Sequence, residues 1–141
     1  MPKTKNGFTL IELLVVIAII GVLSAVVLAS LNTARSKGND AAVESDLNGI
    51  RTQAAIYYDS PTGGNQSYTG LCADTTVANQ IAGADSANGA SATVTCNVAT
   101  DGTAYAVSSP LVAQTGEYYC VDSIGTATTT TTDLGTGTAC P

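Results

Sequence analysis

The longest apolar run of the chain, residues 7–31, reads GFTLIELLVVIAIIGVLSAVVLASL. Its one charge is Glu12; from Leu13 to Leu31 no residue is charged and none is proline. At about 1.5 Å of rise per residue, a helix over Leu13 to Leu31 covers roughly 28 Å, close to the ~30 Å of a bilayer's hydrocarbon core. Residues 8–31 are therefore expected to form a membrane-competent helix with an acid near its start. A carboxylate costs about 2.5–3.5 kcal/mol at mid-membrane and less towards the interface. Glu12 then either sits at headgroup depth or meets a cation once the helix packs against others. An α-amine created by cleavage just before Phe8 would serve. In a bundle of axially offset helices, one copy's carboxylate could meet the next copy's amine, and two charges would be neutralised together.

The residues on either side bound the alternatives. MPKTKNG precedes the helix, with Lys3 and Lys5 as its charges. A Sec signal peptide has a basic start, an apolar run of about 7–15 residues and a small-residue cleavage site. The run here is longer, although Val27-Leu28-Ala29 could serve as such a site. The 141-residue chain carries a net charge of −6. Without the leader, Arg35, Lys37 and Arg51 stand against eleven acidic residues, a net of −8. So acidic a body repels phosphate backbones, and no direct nucleic-acid binding is expected. Histidine is absent, which removes the commonest general base and zinc ligand. There is no G-x-x-x-x-G-K-[ST] loop and no G-x-S-x-G elbow. Neither enzyme activity nor a cofactor is expected.

Past Leu31 the helical pattern continues, since no proline occurs between Phe8 and Ser60. Val43, Leu47, Ile50, Ala54 and Tyr57 recur in steps of four and three, one stripe of an amphipathic helix over 32–59. Gly38-Asn39-Asp40 is its weakest link, because a glycine inside a helix costs about 1 kcal/mol relative to alanine. Pro61 and Gly63-Gly64 end it.

Residues 60–141 are expected to form a small β-rich surface domain. Thr93 to Val98, Thr103 to Val107 and Glu117 to Val121 have strand composition and period-two alternation. Asp101-Gly102 is a hairpin signal between the first two. The threonine-rich run Thr126 to Thr132 suits an extended segment or a glycan-bearing loop. Large aliphatic residues are few, so this domain needs the helix stripe and crosslinks to hold it. Cys72, Cys96, Cys120 and Cys140 lack C-x-x-C spacing and read as two disulfides formed in an oxidising compartment. Four cysteines allow three pairings; Cys72 with Cys96 and Cys120 with Cys140 closes the shortest loops, each worth roughly 3 kcal/mol. The expected fold is α+β: a long N-terminal helix spine packed on a small antiparallel sheet with two disulfides.

KTKNG followed by FTLIELLVVIAIIGVLSAVV resembles the N-terminal signal of type IV pilins and their relatives, the type II secretion pseudopilins. The resemblance implies that residues 1–7 are a leader. A membrane-embedded prepilin peptidase would cut between Gly7 and Phe8 and N-methylate Phe8, with Thr9 and Leu10 completing the recognised start. It makes Glu12 the assembly glutamate, and the loop closed by Cys120–Cys140 a region that meets neighbours or substrates. Many pilins carry a proline near the end of the apolar stretch, where their helix can loosen; Ala29 to Leu31 has none, which leaves Gly21 and Ser24 as the weak points and argues against local melting of this helix.

The implied function is a structural subunit, the major pilin, of an extracellular type IV pilus. Such filaments serve adhesion, motility, DNA uptake or surface attachment. The implied partners are copies of the chain in a helical filament, the prepilin peptidase, an assembly platform and minor pilins. The precursor would lie in the bacterial inner membrane and the assembled form outside the cell. The alternatives are a type II secretion pseudopilin, for which Asp122 and Asp133 are the candidate calcium ligands, and a Sec-secreted or single-pass surface protein.

Overall fold

The computed structural model describes residues 7–89 and 93–141. Residues 1–6, most of the expected leader, lie outside that range. The chain divides into two units, Met1–Arg35 and Ser36–Pro141.

The first unit is helical from Leu10, the start of α1 (Leu10–Asp59). Every residue from Gly7 to Arg35 is exposed, including Leu13, Ile17, Leu23 and Leu28. No core forms here because no described residue of the unit lies beside the helix.

The second unit holds the remainder of α1, a 3-10 turn η1 (Leu71–Ala73), α2 (Thr75–Asn88) and four strands. The strands are β1 (Thr95–Val98), β2 (Tyr105–Pro110), β3 (Tyr118–Asp122) and β4 (Ala127–Thr130), antiparallel in the order β1-β2-β3-β4. The expected stripe faces inward: Val43, Leu47, Ile50 and Ala54 are wholly buried and Tyr57 is partly so. They pack with Leu71, Val77 and Ala84 and with Tyr105, Val107 and Val121 on one face of the sheet. Period-two alternation sends Ala106 and Cys120 to the other face. There Leu134 and Cys140 of the C-terminal tail cover them. Both faces of the sheet are thus occupied, one by helices and one by the tail, which gives the α+β fold with so few large aliphatic residues.

The disulfides are Cys72–Cys96 and Cys120–Cys140, with Cα–Cα distances of 6.1 and 5.8 Å. The first ties η1 to β1 and the second holds the tail on the sheet. Asn97 adds to the latter by donating to the carbonyls of Gly135 and Gly137, at 2.9 and 2.8 Å.

Several boundaries differ from the sequence expectation for local reasons. β1 starts at Thr95, because the Val94 amide donates to the Asp85 carboxylate of α2 at 2.7 Å. β2 starts at Tyr105, since Thr103 is held in the hairpin turn by Asp101 through its amide and its hydroxyl. That turn is where Asp101-Gly102 signalled it, with Gly102 at φ 70°. β3 starts at Tyr118 because the Glu117 amide closes a turn onto the Gln114 carbonyl. The helix α2 is an addition. Asp74 caps it, accepting from the Thr76 and Val77 amides at 3.0 and 3.2 Å. Val77, Ile81 and Ala84 do recur at helical spacing, but alanine, glycine and asparagine dilute the pattern.

The Gly38-Asn39-Asp40 segment, expected to be the weak link, runs on as helix. Asp40 is buried there and accepts the Val112 amide at 2.6 Å and the Ala113 amide at 3.1 Å. Glycine's cost at position 38 is offset two residues later by charge-assisted hydrogen bonds, which are roughly twice as strong as neutral ones. Pro61 and Gly63-Gly64 follow the end of α1 at Asp59, as their chemistry requires.

Candidate assembly site

The start of α1 brings three of the singled-out residues into one turn. Leu10 is the first helical residue, so Thr9 is the N-cap and Glu12 the third residue of the helix. The Thr9 amide donates to Glu12 Oε2 at 2.8 Å and the Thr9 hydroxyl donates to the same oxygen at 2.7 Å. The Glu12 amide in turn reaches Thr9 Oγ1 at 3.3 Å. This is a capping box: the N-cap side chain meets the third amide and the third side chain returns to the N-cap amide. The pattern T-x-x-E spells it in the sequence, and the expectation set out above did not use it. A negative charge there also faces the positive end of the helix dipole.

The box explains how one acid is tolerated before a run of apolar residues. Two donors meet Glu12 Oε2 within its own turn, which offsets part of the carboxylate's desolvation cost. Among the described residues Oε1 has no hydrogen-bond partner, so half of the carboxylate remains open to a cation. Every atom of the box belongs to residues 9–12, and the arrangement would survive removal of residues 1–7.

Gly7 and Phe8 precede the cap, both exposed, with Phe8 at 78 %. A Cβ built on Gly7 meets nothing within 4 Å. The chain's own packing therefore places no demand for glycine at position 7. The same holds at Gly21, in mid-helix, where glycine costs about 1 kcal/mol of helix stability. Ser24 likewise lies within uninterrupted helix.

The structure gives both candidate calcium ligands backbone amide partners. Asp122 is buried, and its Oδ1 accepts the amides of Ile124 and Thr126 at 3.1 and 2.9 Å. Its Oδ2 accepts the Cys140 amide at 3.0 Å. Burial alone would raise this carboxyl, but the Cys140, Thr126 and Ile124 hydrogen bonds outweigh it and hold the group below the ordinary aspartate value. A carboxylate ringed by N–H groups presents partial positive charge where a metal would need oxygens. Asp133 is exposed and accepts the Gly135 amide at 3.1 Å. Among the described residues no three acidic or cysteine side chains gather as a metal-binding group. Asp122 is a structural carboxylate that fastens the tail beside the Cys120–Cys140 bridge.

Comparison with known proteins agrees with the N-terminal geometry. A family model, the prokaryotic N-terminal methylation motif, matches residues 2–28. The chain is also 44 % identical over 68 residues to a curated protein of Thermus thermophilus, the type IV wide pilus major component PilA4. That alignment covers 48 % of this chain and 48 % of the relative, so the chain spans about half the length of the curated relative it matches. No solved structure matches the chain. Over the methylation motif and those 68 residues the chain is thus similar to type IV pilins.

Proposed function

We propose that this chain is the major structural subunit of an extracellular type IV pilus and that it polymerises through the apolar part of α1. The observation that carries the reading is the exposure of that part. From Phe8 to Leu31 every large apolar side chain faces outward, between 45 and 78 % exposed. Apolar surface is worth roughly 25 cal/mol per Å² when removed from water, so so long a surface requires a bilayer or other helices around it. The precursor meets this need in the inner membrane, and the assembled filament meets it with copies of the same helix. Gly21, which no contact of its own chain requires, allows another helix to approach closely.

Assembly follows from the turn at Thr9–Glu12. The prepilin peptidase cuts between Gly7 and Phe8 and N-methylates Phe8. Glu12 then keeps its cap through Oε2 and offers Oε1 to the amine of a neighbouring copy. The body from Ser36 onward faces outward, held by two disulfides that suit an oxidising exterior. The assembly platform and minor pilins are separate proteins. The wide pilus named for the Thermus relative supports the filament reading; adhesion, motility, DNA uptake and surface attachment are its candidate uses.

N-terminal mass spectrometry of the extracellular form tests the processing step. A start at N-methylated Phe8 is expected, whereas a start at Ser30 would indicate Sec cleavage and one at Met1 a plain anchor. In the same strain, Glu12→Ala is expected to leave the protein in the membrane and remove it from filaments. Normal piliation by that variant would refute the assembly role.

A further inference from the structure

The two edges of the sheet are finished differently. Along β1 the outward backbone groups belong to Cys96 and Val98, and the Cys72–Cys96 bridge lays η1 beside that edge. Among the described residues no strand or turn pairs with the outer side of β4. The ladder shows which groups are left over. The Ser123 amide donates to the Tyr105 carbonyl, and the Asp122 amide to the Thr126 carbonyl. Antiparallel pairing alternates, so in β4 the backbone of Thr126, Thr128 and Thr130 points to β3 and that of Ala127 and Thr129 points away.

This edge lacks the devices that usually protect one. From Ser123 to Thr132 there is no charge and no proline, and Ala127, Thr128 and Thr129 are exposed. Ile124, at the adjoining turn, is 83 % exposed. Lysine, proline, a bulge or a covering element would normally block pairing there. Here β-branched threonines favour it, and opposed threonines stabilise a cross-strand pair. Charge selects the occupant. Two copies of so acidic a body repel wherever carboxylates face each other, and this neutral run lets them approach without that cost.

We infer that β4 is a self-docking edge: two copies pair antiparallel, β4 to β4, about a two-fold axis at Thr129. The arrangement joins the sheets of two bodies and is separate from any contact made by the apolar helix. Where two filaments lie side by side it would be a lateral contact from one to the other, one short strand per copy, strengthened by repetition along the polymer. It does not depend on the filament reading.

The experiment uses the full-length chain in detergent micelles with Thr129→Cys under mild oxidation. Opposed Thr129 residues in a hydrogen-bonded pair lie about 5.5 Å apart at Cα, within disulfide reach. Disulfide-linked dimer is expected in several-fold excess over a control cysteine at exposed Thr52 on α1, with both native disulfides intact by mass spectrometry. Thr128→Asp added to Thr129→Cys places two carboxylates about 7–8 Å apart across the pair. It should lower the yield several-fold, and high salt should restore it. Equal dimer from Thr52→Cys and Thr129→Cys, or a yield indifferent to Thr128→Asp, would overturn the inference.

Discussion

The helix α1 passes through two environments, and its residues are used in opposite ways. Before Arg35 it is densely apolar and wholly exposed; after Ser36 it is mostly polar, yet its stripe at Val43, Leu47, Ile50 and Ala54 is wholly buried. The hydrophobic effect depends on surface removed from water, and the second part removes it within its own unit. The first part is left with apolar area that no described residue of its own unit covers. An amphipathic stripe is thus the mark of an internal partner, and an apolar surface all round is the mark of an external one.

The sharpest way to break this contrast is a matched pair of truncations. Leu47→Ala should destabilise the folded body by about 2–5 kcal/mol, read as a lowered midpoint of denaturant unfolding. Leu23→Ala, the same chemical change in the exposed part, should leave that midpoint unmoved within about 0.5 kcal/mol while weakening filaments. Equal destabilisation by the two would mean that the apolar part is also packed on its own body. Next in size is the tail clasp. Removing both cysteines of Cys120–Cys140, which closes a separation of 20 residues, should cost about 3 kcal/mol and expose Leu134 to protease. A smaller loss, about 1–3 kcal/mol, is expected for Asp40→Ala, which strands the Val112 and Ala113 amides.

Two effects of pH sharpen the picture of the body. Tyr105 is packed edge-on against Tyr68, and burial, with Tyr68 close by, pushes its hydroxyl up to about 12. The unfolded tyrosine ionises near 10. This contribution to stability is therefore complete below about pH 10 and falls away as pH rises towards 12. Tyr105→Phe should flatten that alkaline decline. Asp122 runs the other way: its folded value is depressed, so its contribution is present above the unfolded value near 3.9 and is lost as pH falls through the folded one. Acid should loosen the tail around Cys140, read as faster amide exchange there, and Asp122→Asn should weaken that dependence.

How far the sequence could be read varies with the range of the interactions. The long helix was legible because its signals are local: no proline between Phe8 and Ser60, a regular stripe, and a proline–glycine stop. The hairpin at Asp101-Gly102 was legible for the same reason. The T-x-x-E box was equally local and could have been found from its spacing. The start of α2 at Asp74 was written less plainly, since Val77, Ile81 and Ala84 are interrupted by small and polar residues.

Other features needed the tertiary structure because they join residues far apart in the chain. Asp40 could be seen as a helix residue but not as the acceptor for the 112–113 amides, more than seventy positions away. Asp122 could be seen as an acid, and a lone acid near a threonine run invites a calcium reading. Only its burial against the Cys140 amide shows that its charge is already engaged. Likewise the threonine run could be seen to favour an extended strand, but whether that strand is central or at an edge depends on the order of pairing. Spacing along the chain was enough to place the long helix and the stripe that it buries. The tertiary structure alone showed which carboxylates are engaged by the body and which strand lies at the edge of the sheet, because hydrogen bonds of that kind are fixed by proximity in space, not by spacing along the chain.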